Sequence, residues 1–318
     1  MKRRELVALI CSAALAWPAR AEPKIRRIGL LASLPLPPIE RLKKKLAELG
    51  YLEGKTIAFV PRFADGGDGR YPALAWELVA LPVDVIVAWG TPASLAAKRA
   101  TETIPIVVVT GDVVNTGIVS NLARPEANIT GVIAINVELE EKRLELLKEV
   151  VPRLKRVAIL ANWLNPLNRI NLETAHRVAR DLSLTINVFQ VHGNDEVDAA
   201  LRALVETRPD AALLAADTLL LNNRKLIADT MAQNRIPAIY PFREYSDVGG
   251  FITYGANLSI MFQRAAEYVA RILKGERPHN LPVQQATAFE LIINLKAAAE
   301  LGLTVPQTVQ VRADEVIE

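Results

Sequence analysis

Cysteine is nearly absent from this chain of 318 residues. Its one cysteine, Cys11, lies in an N-terminal apolar run, so the rest of the chain has no thiol for a disulfide or a covalent nucleophile. Histidine is scarce too. His176 falls in a helical pattern, His192 ends a strand pattern and His279 sits in a polar loop, without the two-histidine helical spacing or Cys/His clustering of a zinc site. No metal and no other cofactor is expected. There is no G-x-S-x-G elbow and no P-loop, and Gly66-Gly67-Asp68-Gly69 lacks the spacing of a dinucleotide fingerprint. The chain is therefore not expected to be an enzyme; an acid/base pair of Asp112 and Asp217 is the one catalytic alternative.

A spanning hydrophobic segment is also missing. The apolar run at residues 6–17 is about 12 residues long against the roughly 20 a membrane helix needs. It follows Lys2, Arg3 and Arg4 and precedes Ala19-Arg20-Ala21, which together read as a cleavable export signal ending at Ala21 and place the mature chain in the periplasm. Arg3-Arg4 fits ordinary secretion and the twin-arginine route alike. Ile10 is too bulky to precede a lipidated Cys11.

Removing residues 1–21 takes four basic residues out of 38 and one acid out of 35, so 34 of each sign remain. With a net charge near zero and no basic stripe interleaved with aromatics, nucleic acid is not an expected partner. The remaining 297 or so residues suffice for two domains with cores of their own, and a monomer is expected.

What the chain does have is a rhythm of apolar strands and amphipathic helices, and the stretch that organises it is VDVIVAWGTPAS at residues 83–94. Its β-branched run suits a parallel strand covered on both faces. Gly90 permits a tight turn, Thr91 is placed to cap the next helix and Pro92 to open it. Free helix N–H groups at the carboxyl end of such a strand favour an anion such as a carboxylate.

Strands are expected at 26–32, 56–63, 84–89, 104–110 and 129–135, with helices at 38–49, 71–81 and 92–101 and a short helical element near 117–122. The alternation restarts with helices at 139–150, 172–182, 197–207 and 224–234 between strands at 157–161, 186–191, 211–215 and 238–240. Glu140, Glu141, Lys142 and Arg143 read as a solvated face. Strand character at 250–255 and 283–294 and helices at 258–273 and 295–301 complete the chain. This is an α/β protein of two doubly wound, mainly parallel lobes.

Polar and aromatic residues stand just after the strands, where α/β folds contact ligands. They are Ser33; Trp89, Gly90 and Thr91; Asp112; Asn136; Asn162 and Trp163; Asp217; Tyr240 and Phe242; and Tyr254 in the strand-like stretch before the last long helix. Asp112, Asn162 and Asp217 equally fit helix caps or Asx turns, and Trp89, Trp163 and Tyr240 equally fit lobe packing.

Five long stretches carry a resemblance: GTPASLAAKRATETIPIVVVTGD, VVNTGIVSNLARPEANITG, KRLELLKEVVPRLKRVAIL, PAIYPFREYSDVGGFITYGANL and FELIINLKAAAELGLTVPQTVQVRADEVIE. Together they resemble the ABC transporter substrate-binding proteins of the tryptophan/tyrosine-import type. The resemblance implies a type I periplasmic binding fold that closes over a small organic acid or amino acid, aromatic or apolar, and delivers it to a membrane permease. A ligand-sensing domain that partners a membrane receptor or kinase would share the fold. Crossings would lie near Ala134, Thr253 and Val283, giving lobes of 22–134 plus 254–282 and 135–253 plus 283–318. The family's motif positions fall on Gly90-Thr91-Pro92-Ala93, Gly111-Asp112, Asn162, Asp217 and Tyr240. Leu34-Pro35-Leu36-Pro37 and Trp89 replace more polar or smaller residues, which makes the first-lobe wall more apolar.

Overall fold

The structure is a computed structural model and describes residues 25–125, 128–134 and 137–318; the expected signal peptide lies outside them. In chain order the elements are β1 (Arg26–Ala32), α1 (Pro37–Glu48), β2 (Ile57–Phe63), α2 (Tyr71–Ala80), β3 (Val85–Trp89), α3 (Thr91–Ala100), β4 (Ile106–Thr110), β5 (Ile129–Ile133) and α4 (Val137–Val150). They continue with β6 (Arg156–Asn162), α5 (Pro166–Asp181), β7 (Thr185–Val191), α6 (Val197–Glu206), β8 (Ala211–Leu214), α7 (Thr218–Asn222), α8 (Arg224–Gln233) and β9 (Ala238–Tyr240). The last are β10 (Ile252–Ala256), α9 (Leu258–Leu273), β11 (Gln284–Gln285), β12 (Phe289–Asn294), α10 (Leu295–Glu300), α11 (Gln307–Gln310) and β13 (Glu315–Ile317).

Two sheets result. The first runs β2-β1-β3-β4-β5-β11, and the second β7-β6-β8-β9-β10-β12-β13. Every pairing is parallel except β10 with β12. The apolar runs of the central strands are buried on both faces because helices cover both. Ile28, Val87 and Val107 point into one core with Leu42 and Leu46 of α1 and Phe262 of α9, while Leu31, Ile86 and Val108 point into another with Leu74, Leu78 and Ala97 of α2 and α3. This alternation of faces along each strand is the period-2 geometry that makes a doubly wound layer.

The chain passes between the sheets after β5, after β10 and after β11. The second passage follows Ala256 rather than Thr253, because residues 254–256 stay paired to β12 through Ala256 opposite Phe289, and the Asn257 side chain then accepts from Ile260 N to start α9. The third follows Gln285: the expected single strand at 283–294 is two, β11 completing the first sheet beside β5 and β12 joining the second. The expected short helix at 117–122 is instead the end of a turn followed by irregular, bent chain.

Among the described residues no helix is long and apolar enough to cross a membrane, and no His/Cys/Asp/Glu group could hold a metal ion.

Candidate functional site

The carboxyl ends of β3, β4 and β5 from one sheet face those of β8, β9 and β10 from the other across a narrow cavity. Its walls are mainly apolar: Trp89, Val109, Ala134, Leu167, Ala216, Pro241, Phe242, Leu258 and Met261. Trp89, the last residue of β3, is held edge-on against Phe262, with centroids 5.0 Å apart and planes at 84°, so one ring is buried as a fixed platform. Gly90 follows with φ of +91°, a conformation only glycine takes without strain, and a Cβ there would sit 3.2 Å from Thr218 Cγ2 of the opposite lobe.

Thr91 departs from its expected role. Gly90 occupies the cap position of α3 and Thr91 is already helical, its hydroxyl bonded to that of Thr110 at 2.9 Å rather than to a free N–H. The first N–H groups of α3 still lie beside the cavity, since Gly90 and Thr91 line it.

A buried polar network closes the two lobes on one another beside this cavity. Asp217 ends the β8 segment and caps α7 by accepting from Leu219 N at 2.7 Å. Its carboxylate also accepts from the side-chain amides of Asn162 at 3.1 Å and Asn165 at 2.8 Å. The same Asn162 amide reaches across to Asp68 Oδ2 of the first lobe at 2.6 Å. Ser33 is likewise engaged across the gap, accepting from the Asn222 amide. Asp68, in the glycine-rich loop after β2, is buried with Oδ1 unpartnered.

Burial first, and then the neighbouring Asp217 charge, push the Asp68 carboxyl up to about 7, against the lowering effect of the Asn162 hydrogen bond. Burial raises Asp217 as well, opposed by its amide donors. Tyr71, which faces the pair, is pushed far above its ordinary value by burial and stays neutral. Between an unfolded carboxyl value near 3.8 and the folded value of about 7, the folded chain holds a proton that the unfolded chain has released. Stability is thus full at the acid end of that window and is lost as pH rises through it, by up to about 1.4 kcal/mol per pH unit. Denaturation midpoints measured from pH 5 to 8 are expected to fall, and Asp68→Asn is expected to flatten the slope; midpoints that climb over this range would refute the assignment.

The expected ligand residues divide into two groups. Trp89, Gly90, Thr91, Asp217 and Phe242 line the cavity. The others do not. Asp112 forms a local Asx turn, accepting from Val114 N and Asn115 N at 2.9 and 3.0 Å. Ser33 and Asn162 are committed to the contacts described above. Trp163 stands behind Arg169, whose guanidinium lies 6.0 Å from its ring. Tyr240 is buried in a stack with Tyr245, centroids 4.5 Å apart. Tyr254 contributes its carbonyl, which accepts from Arg143 Nε at 2.8 Å. Asn136 lies outside the described residues.

Arg143 is the main residue the sequence reading passed over. It and Glu140 are not a solvated face: they are 1% and 2% exposed, paired at 2.8 Å, and Arg143 lines the cavity. The signal was available in the spacing, because 140, 143, 144, 147 and 150 form the buried stripe of α4. Burial raises the Glu140 carboxyl, with the Arg143 charge pulling it back down.

A model of the ABC transporter substrate binding protein family matches residues 39–317. A curated relative, the "Tyrosine-binding protein" of Clostridioides difficile, is 25% identical over 300 residues, which are 92% of this chain and 86% of that one. Among solved structures, a conserved domain protein from Vibrio cholerae is 27% identical with a TM-score of 0.84, over 92% of this chain and 100% of that chain. A Streptococcus pneumoniae ABC domain in complex with L-Trp is 23% identical with a TM-score of 0.83, over the same shares.

Proposed function

The chain belongs to the ABC transporter substrate-binding protein family, and on that premise we propose that it is an exported solute-binding protein that closes over a small, apolar or aromatic carboxylate and delivers it to a membrane permease. The two lobes share the type I periplasmic binding fold of the structural neighbours. The observation that carries the reading is the mainly apolar cavity built from strand ends of both sheets, with Asn162 bridging Asp68 and Asp217 across its edge.

In this reading Trp89 and Phe242 hold the apolar part of the ligand. The turn at Gly90 and Thr91 offers helix N–H groups to its acid end. Asp217 organises the second-lobe wall through its amide partners, while Ser33, Asn162 and Tyr240 support the closed arrangement from behind. The chain works as a monomeric carrier, with no catalytic step and no nucleic acid. Ligand binding favours the closed state by its difference in affinity for closed and open forms.

A thermal-shift screen of aromatic and aliphatic acids against the mature chain tests this. A ligand at a hundredfold its dissociation constant is expected to stabilise the fold by about 2.7 kcal/mol, a rise of several degrees in Tm. A flat response to every small acid and amino acid would remove the proposal.

A further inference from the structure

The lobes meet beside the cleft at several points. The Asn222 amide donates to Ser33, Asn194 packs against Gly66, Thr218 stands against Gly90, and the Asn162 amide donates to Asp68 at 2.6 Å. The last of these brings two acids together. Asn162 has two amide hydrogens, and it spends them on carboxyls of opposite lobes, Asp68 and Asp217.

The two acids are not equivalent. Asp217 accepts from Asn162, Asn165, Asn168, Leu219 N and Leu220 N, all of its own lobe, so it keeps these donors whether the lobes meet or part. Both its oxygens are supplied, and it holds its charge. The Asp68 carboxyl accepts one hydrogen bond among the described residues, from across the gap, and its Oδ1 is buried without a partner. Ionised, it would set a bare oxygen against a second carboxylate; protonated, it keeps the Asn162 bond and loses the repulsion.

The groups around it supply no compensating charge. Arg70 of the same loop is bonded to Asp65 and to the Ala64 carbonyl. Tyr71 of α2 and Tyr245 near Asp217 are held neutral by burial, and Arg224 beside Tyr245 is bonded to the Leu221 carbonyl. The second-lobe loop that meets Gly66 brings Asp195 and Glu196, the latter exposed and bonded to His192. Parting the lobes would hydrate Asp68, take it away from Asp217 and return it to an ordinary aspartate.

We infer that this contact is itself a binding site, for a proton: closing the cleft takes up one proton at Asp68, so acid holds the lobes together and rising pH parts them. The proton is the ligand, so the inference goes beyond the transport reading and needs no solute. Burial and the Asp217 charge push Asp68 up to about 7 in the closed form, against 3.8 ordinarily. Between those values the closed-to-open ratio falls by up to about tenfold for each unit that the pH rises.

Small-angle X-ray scattering from the mature chain without solute, at pH 5, 6, 7 and 8 and fixed ionic strength, tests it. The radius of gyration is expected to grow with pH as the closed-to-open ratio drops at least about tenfold overall. Asp68→Asn keeps an acceptor for the Asn162 amide and carries no charge. It is expected to retain its far-UV circular dichroism and the small radius at every pH. Ser33→Ala removes a cross-lobe bond that does not titrate, and is expected to favour the open form at every pH while keeping the wild-type slope.

A wild-type radius that does not change with pH, an Asp68→Asn variant that opens with pH as wild type does, or a Ser33→Ala variant without pH dependence would overturn the inference. None of these touches the transport reading, which fails separately if the thermal-shift screen is flat.

Discussion

Replacing Asp217 by alanine is expected to destabilise the folded chain by about 3–5 kcal/mol, the range for removing one partner from a buried charged network. The carboxylate is 3% exposed and accepts from three asparagine amides and two backbone N–H groups. Its loss leaves those donors facing an apolar void, each buried unsatisfied group costing about 1–3 kcal/mol before water fills the space. It also uncaps α7. The effect reaches across the cleft, because Asp217 and Asp68 share the Asn162 amide. With the Asp217 charge gone, the Asp68 carboxyl is expected to fall from about 7, and the loss of stability with rising pH should end at a lower pH and be smaller in total. Urea denaturation of wild type and variant at pH 5 and pH 8 measures both effects. A loss below about 1 kcal/mol at both values would mean that the network is wetter and weaker than its geometry indicates.

Gly131→Ala is expected to abolish folding of the first lobe. Gly131 sits in β5 between β4 and β11 with φ of +151°, and a Cβ there would lie 2.1 Å from Val108 O and 2.6 Å from Val108 N. Both are backbone atoms of the neighbouring central strand, so no side-chain rotation relieves the overlap; β4 must separate from β5 or β5 must leave the sheet. The cost exceeds the 4–5 kcal/mol that marks an exceptional single substitution, a large share of a domain's whole stability. Gly117→Ala is the control. Its φ is +72° but nothing lies within 4 Å of the added carbon, so it should cost only about 1–3 kcal/mol of backbone strain. Soluble yield and melting curves of the two variants side by side distinguish a clash from a general intolerance of alanine. Equal stability of the two would show that β5 does not run against β4 as described.

The layered fold was legible because a strand buried on both faces has to be apolar throughout, and 85–89 and 106–109 are. The same logic placed Trp89, Gly90 and Thr91 at the cleft, since a strand followed at once by glycine and a helix leaves its last side chain at the sheet's edge. Asp217 was legible as a strand-end acid, although its neighbours on α5 were not: Asn165 and Asn168 meet it only when β6 and β8 lie side by side. Arg143 escaped because its charge outweighed its position on the buried stripe of α4. Asp68 escaped for a different reason. A glycine-rich loop carries no periodic signal, and the partner that gives it meaning, Asn162, lies 94 residues away in the other lobe. Asp112 shows the converse, a strand-end acid whose bonds are to residues two and three positions on, set by local turn chemistry.

The most direct test is the crystal structure of the mature chain saturated with the acid that gives the largest thermal shift. Density for that acid is expected between Trp89 and Phe242, its carboxylate within hydrogen-bond distance of the N–H groups opening α3, with Asn162 still bridging Asp68 and Asp217. An acid bound outside the gap between the two sheets, or lobes standing apart around it with that bridge broken, would contradict the account.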